Sequence, residues 1–181
     1  MNHADHFHNV MQRLSPRVYT LARYALANAS DAEDLTQDVF TRLWRHWSSI
    51  DPDRVEGWLV RATANACVDF KRRRSTRLAR ESATPAAPPA RDPADPLLAS
   101  ETQALVARAI AQLPEPARSL IILREIEGCS YEEVARLLDI PPARVGVALH
   151  RARARLATLL PPSLNTSTES TSPREGALHV S

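Results

Sequence analysis

The sequence predicts an all-α protein built as two small helical domains on a flexible linker. Three features predict it. Apolar residues recur at a period near 3.6, no Val/Ile/Thr run alternates with polar residues as a strand would, and 181 residues contain only four glycines. Over residues 81–98 the composition turns to Ala and Pro, with Pro85, Pro88, Pro89, Pro93 and Pro96. Prolines remove backbone donors and block helix, so this stretch is an extended linker and a domain boundary. The flanking domains are residues 5–80 and 99–160, and the Ser/Thr/Pro-rich residues 161–181 read as a disordered tail.

The elements follow in order. Val10, Leu14, Val18, Leu21 and Ala25 form one apolar stripe, with Ser15-Pro16 either kinking the segment or starting its second half. Ser30 with Glu33 reads as a capping box opening a second helix; Asp31 and Asp34 complement its dipole, and Leu35, Val39, Leu43 and Trp47 recur on one side. Asp51-Pro52 fixes a loop. A third helix runs from about Val55 into a cluster of arginines and buries Trp58, Leu59, Ala62, Ala66 and Phe70. Beyond the linker, Leu97 to Leu113 reads as a helix ending at Pro114, and Glu115 to Ile126 as another stopped by Gly128. Ser130 and Glu133 form a second capping box ahead of Val134, Leu137 and Leu138. After the turn Asp139-Ile140-Pro141, the stripe Val145, Leu149, Ala152 and Leu156 marks the last helix. Two helices joined by a short turn, the second carrying unpaired arginines, is the helix-turn-helix pattern.

The net charge of +2 conceals an uneven distribution. Residues 61–80 hold seven basic groups against Asp69 alone, and residues 140–160 hold four arginines and no acid, while the remaining segments are all acidic. Two basic islands in an acidic background suit a protein that touches a polyanion at two places. No window approaches the roughly 18 apolar residues of a membrane span. The start, MNHADHFHNV, lacks the basic and apolar regions of a secretory signal, so the expected compartment is the cytoplasm. Cys67 and Cys129 are isolated and read as reduced structural thiols. His3, His6 and His8 sit at the terminus with no further His or Cys nearby, which favours a frayed end over a metal site. Nothing resembles a nucleophile with its base, a phosphate loop or paired catalytic carboxylates, so neither catalysis nor a cofactor is expected.

The runs DAEDLTQDVFTRLW (31–44), GWLVRATANACVDFKRRR (57–74), LPEPARSLIILREIEGCSYEEVARLLDI (113–140) and LHRARARL (149–156) together resemble the extracytoplasmic-function class of bacterial RNA polymerase sigma factors, in the family's order. The resemblance implies a sigma domain two, a linker and a sigma domain four, with core RNA polymerase and promoter DNA, duplex and melted, as partners. It places polymerase binding on Asp34, Gln37, Asp38 and Thr41, which share one polar helix face. On the third helix it implies minus-ten recognition and melting: Asn65 matches the family's base-pocket asparagine and shares the outer face with Arg61 and Arg72, Asp69 lies beside them, and Lys71, Arg73, Arg74 and Arg77 join Arg72 in holding phosphates. An amide can donate to and accept from a base edge, and phosphates hold a separated strand. Trp58 is expected to be core. The loop Ser48 to Glu56 corresponds to the family's specificity loop, without its common Gly-Asp pair.

For the minus-thirty-five element the resemblance leaves Arg144, His150, Arg151, Arg153 and Arg155. The family's start of that helix is more polar; here it reads Ala143-Arg144-Val145-Gly146-Val147-Ala148, which predicts weak or unusual sequence reading. The linker would approach the RNA exit path, with Asp92 and Asp95 mimicking RNA charge, and an anti-sigma protein is the family's usual antagonist. A stand-alone helix-turn-helix regulator would explain residues 113–160 and leave residues 31–74 without a role. A protein-binding adaptor that has lost DNA reading would gain support from Gly146, Val147 and Ala148.

Overall fold

The computed structural model describes residues 3–81 and 101–162. Most of the expected linker, the start of the helix expected from Leu97, Asp92, Asp95 and nearly all of the expected tail lie outside the described residues. Described residues contain helices and turns but no strand: α1 (His3–Leu26), α2 (Ala29–His46), α3 (Val55–Glu81), α4 (Glu101–Gln112), α5 (Ala117–Ile121), α6 (Tyr131–Leu138) and α7 (Pro142–Leu159).

The first bundle packs α1, α2 and α3. Pro16 lies inside α1, which continues through it as one helix. The start of α2 differs from the expected capping box. Asn28 is the N-cap, its side-chain oxygen accepting from the Asp31 backbone N–H at 2.9 Å, so Ser30 falls within the first turn. Asn is among the best N-cap residues, and it stands two positions before Ser30. The expected stripes meet in one core: Val10, Leu14 and Val18 of α1, Leu35, Val39 and Leu43 of α2, and Leu59 and Ala66 of α3. Trp47 closes it from a 3₁₀ turn after α2, and Asp51 caps a second such turn by accepting from the Asp53 N–H.

The second bundle holds α4 to α7. Its core joins Ile110 and Leu113 to Leu120, Leu123, Val134, Leu137, Val145 and Leu149. α5 continues as a π-helical turn over Ile122–Ile126, and Gly128 at φ +71° permits the reversal that follows. The capping box at α6 forms in both directions, Glu133 N–H to Ser130 Oγ at 3.2 Å and Ser130 N–H to the Glu133 carboxylate at 2.7 Å. That bond from the Ser130 backbone holds the Glu133 carboxyl below its ordinary range. Asp139, left-handed at φ 57°, ends α6 and turns the chain into α7, where Pro142 occupies the first turn. The two bundles touch: Leu21 of α1 and Val60 of α3 belong to the core of the second.

Candidate nucleic-acid interface

On α2, Leu35, Val39 and Leu43 turn inward, so Asp34, Gln37, Asp38 and Thr41 are all exposed on the opposite side. The Thr41 hydroxyl donates to the Gln37 carbonyl at 2.9 Å, which keeps it close to the helix surface. Beside Gln37 and Thr41 opens an apolar groove of about 360 Å³ lined by Phe7, Met11, Phe40 and Trp44. Trp44 is half exposed and Phe7 meets it edge-on at 4.8 Å. Sequence reasoning missed this groove, although Phe40 and Trp44 flank the inward stripe and are spaced one turn apart.

On α3 the spacing of Arg61, Asn65, Asp69 and Arg72 brings them to one side. Asn65 and Arg72 are exposed, and Asp69 pairs with Arg72 at 3.6 Å. Arg74 turns toward α2 and pairs with Asp31 at 3.3 Å, while Arg73 lies with Asp34, Asp38 and Arg42 around a small cleft. Arg77 is exposed. Between α3 and the turns before it lies an open cleft of about 560 Å³, walled by His46, Ile50, Asp51, Arg54, Trp58 and Arg61. Trp58 packs on the first core, as expected, yet also lines this cleft. It is therefore only partly core: a helix that buries one edge of an indole leaves the other in solvent. Asn65 does not line the cleft, and His46, Ile50 and Arg54 were not foreseen in it.

On α7, Val145, Leu149 and Ala152 face inward and Arg144, His150, Arg151 and Arg155 stand exposed. Arg153 behaves differently, donating to the Glu125 carboxylate at 2.6 and 3.0 Å. That bond raises the Arg153 pKa. Val147 is 55% exposed between Arg144 and Arg151 on the outer face. A Cβ at Gly146 would meet only the Tyr131 ring, at 3.7 Å. His6, from the terminal cluster, instead meets Trp47 edge-on at 5.4 Å.

The second bundle covers part of α3. The Arg61 guanidinium donates to the Leu137 carbonyl at 3.2 Å, and the Lys71 ammonium donates to the Ala111 carbonyl. Arg17 of α1 pairs with Glu56 in its own bundle and with Glu127 across the seam at 3.1 Å; Arg136 of α6 reaches Glu56 at 3.4 Å. Nearby, Arg118 is buried, ion-paired to Glu115 at 3.2 Å but with Nη1 lacking a hydrogen-bond partner. Burial, reinforced by the Arg118 charge, lowers the Lys71 pKa to about 8, and burial pushes the Cys67 thiol up to about 12. No sequence signal marked Arg17, Glu56, Glu127 and Arg136 as a set.

Comparison with known proteins reaches the same two bundles. The family profile described as Sigma-70 region 2 matches residues 10–77, and that described as Sigma-70, region 4 matches residues 103–156. The chain is 36% identical over 160 residues to the ECF RNA polymerase sigma factor SigE of Mycolicibacterium smegmatis, covering 83% of this chain and 60% of that relative. It is 34% identical to the ECF RNA polymerase sigma factor SigM of Mycobacterium tuberculosis, covering 85% and 76% respectively. Among solved structures it is similar to CnrH, determined in complex with the cytosolic domain of CnrY, with TM-score 0.59, 28% identity and coverage of 84% and 86%. The fold is also that of RpoE from Bartonella quintana in its complex with the anti-sigma factor NepR, with TM-score 0.65, 24% identity and coverage of 84% and 95%.

Proposed function

This chain belongs to the extracytoplasmic-function class of RNA polymerase sigma factors, and from that premise we propose that it binds core RNA polymerase and directs promoter-specific initiation. Both sigma regions occur in one chain and in order, and this observation carries the reading. Polymerase docks on the exposed face of α2 through Asp34, Gln37, Asp38 and Thr41, with the neighbouring apolar groove adding contact area. The outer face of α3, led by Asn65 and Arg72, takes the melted minus-ten strand, and α7 enters the major groove at the minus-thirty-five element through Arg144, His150, Arg151 and Arg155. The protein works in the cytoplasm with no chemistry of its own, and an anti-sigma protein is its expected antagonist.

In vitro transcription with purified core polymerase tests this reading. Addition of the chain should make initiation promoter-specific, and Asp38→Arg, which reverses charge on the docking face without touching the core, should abolish it. Specific duplex binding with no polymerase-dependent transcription would instead identify a stand-alone regulator.

A further inference from the structure

We propose that Val147, near the start of α7, reads the 5-methyl group of a thymine in the duplex that this helix enters, selecting one base by apolar contact. The inference rests on the reading that α7 lies in the major groove. Exposure is the first observation. Val147 is the most exposed large apolar side chain among the described residues, and it is not among those packed on the second core. At about 100° per residue it stands roughly 200° around the helix from Val145. It therefore points away from the core that Val145, Leu149 and Ala152 enter.

Its surroundings select nucleic acid as the partner. Arg144 lies one turn before Val147, His150 and Arg151 lie one turn after, and all three are exposed. Residues 140–160 include no acid to neutralise them. One valine is too little apolar surface for a protein-docking patch, and the cations around it draw a polyanion.

The size of the neighbouring side chains matters as much. Ala143, Gly146 and Ala148 are small, so the first two turns of α7 are slim on both flanks of Val147. The Gly146 flank is turned toward α6, where a Cβ would come within 3.7 Å of the Tyr131 ring. A slim helix seats deep in a major groove about 12 Å wide, and a deep seat lets a side chain as short as valine reach a base edge. Arg144 and Arg151 are long enough to reach phosphates or guanine edges on either side of it.

Thymine is the base that offers a methyl group in this groove; the others present chiefly hydrogen-bonding atoms, which valine would desolvate without replacing their bonds. Burying one methyl against another corresponds to roughly a fourfold change in affinity. The residues that take bidentate contacts away from the start of α7 thus leave it one selective contact.

Replacing thymine with uracil deletes that methyl and nothing else, which isolates the contact. Duplexes with a randomised central segment are first selected on the full-length chain, alone and with core polymerase, and should yield a motif with a thymine at a fixed position. Uracil is then placed at each thymine of the selected duplex in turn. At one position wild type should lose about fourfold in affinity, and Val147→Ser should bind thymine and uracil equally there. Val147→Ile, which keeps the apolar branch, should retain the loss. A motif without a fixed thymine, uracil tolerance throughout, or a loss that Val147→Ser shares would overturn the proposal. Selection of no motif at all would also overturn it and assign the start of α7 to a protein partner. A uracil loss that depends on Val147, without polymerase-dependent initiation, would defeat the sigma-factor reading alone. Promoter-specific initiation without such a loss would defeat the methyl contact alone.

Discussion

The outer faces of α3 and α7 are the chain's two basic surfaces, and they differ in what lies over them. On α7, Arg144, His150, Arg151 and Arg155 are open to solvent and only Arg153 is tied, to Glu125. On α3, Arg61 and Lys71 donate into the second bundle and Arg74 is paired with Asp31, leaving Asn65 and Arg72 among the outward groups. Charge counted along a sequence therefore measures what a helix can offer, and packing decides what it offers in the free protein. The face with more cations is the more occupied one.

The largest effect is expected in the second core. Leu149 is fully buried among Val145, Leu137 and Leu123, so Leu149→Ala should cost about 2 to 5 kcal/mol. Calorimetry should then show α4 to α7 melting ahead of α1 to α3, splitting one transition into two. A single unshifted transition would mean that the second bundle is not held by this core.

The next effect sharpens the α7 side. Gly146→Lys with Ala148→Arg restores basic groups where this helix is apolar, and the space around Gly146 accepts a side chain. Each new bidentate contact is worth about 1 to 3 kcal/mol, so affinity for a minus-thirty-five duplex should rise at least tenfold. Unchanged affinity would contradict the claim that the start of α7 limits DNA reading.

A smaller effect, on α3, is pH dependence. Lys71 titrates near 8 while the two bundles are packed together and near its ordinary 10.5 once the seam between them opens, because burial and Arg118 disfavour its charge. The groups facing it are Cys67 on its own helix and Arg118 and Glu115 from the second bundle. A depressed amine pKa means that the open form binds more protons between these values. Packing of the two bundles is therefore strongest above 10.5, weakens as pH falls and levels off below 8, changing by about tenfold or more in total. Scattering at fixed ionic strength should show the radius of gyration rising as pH is lowered from 10.5 to 8; the opposite slope would exclude Lys71 as a group that couples pH to the packing of the two bundles. Smallest of all, Ser130→Ala removes one arm of the α6 capping box and should cost about 1 kcal/mol of thermal stability without altering the contact between the bundles.

Much of this architecture was legible because helix periodicity and capping are local. The stripes at Val10 to Val18, Leu35 to Leu43 and Val145 to Ala152 meet in the two cores, and Ser130 with Glu133 caps α6 as its spacing implied. Local rules also explain the miss at Ser30, where an upstream Asn28 competes for the same role. Trp58 illustrates a subtler limit: periodicity predicts which side of a helix faces in, but not that a ring packed on the core also lines a cleft with the residues of a neighbouring loop. The seam was illegible for a different reason. Arg17, Glu56, Glu127 and Arg136 come from four separate segments, and nothing in their local sequence distinguishes an interdomain pair from a solvated charge.

Lys71 is the only lysine of the sequence, which gives the covered face its own spectroscopic reporter. With lysine carbon-13 labelled at the ε position, the free chain should yield one titrating side-chain resonance. The midpoint should be about 8 in the wild type and return toward 10.5 in the double variant Glu127→Arg with Arg136→Glu, which sets like charges against Arg17 and Glu56 and so opens the seam. A wild-type midpoint already at 10.5, unmoved by those substitutions, would show instead that α3 is as free as α7.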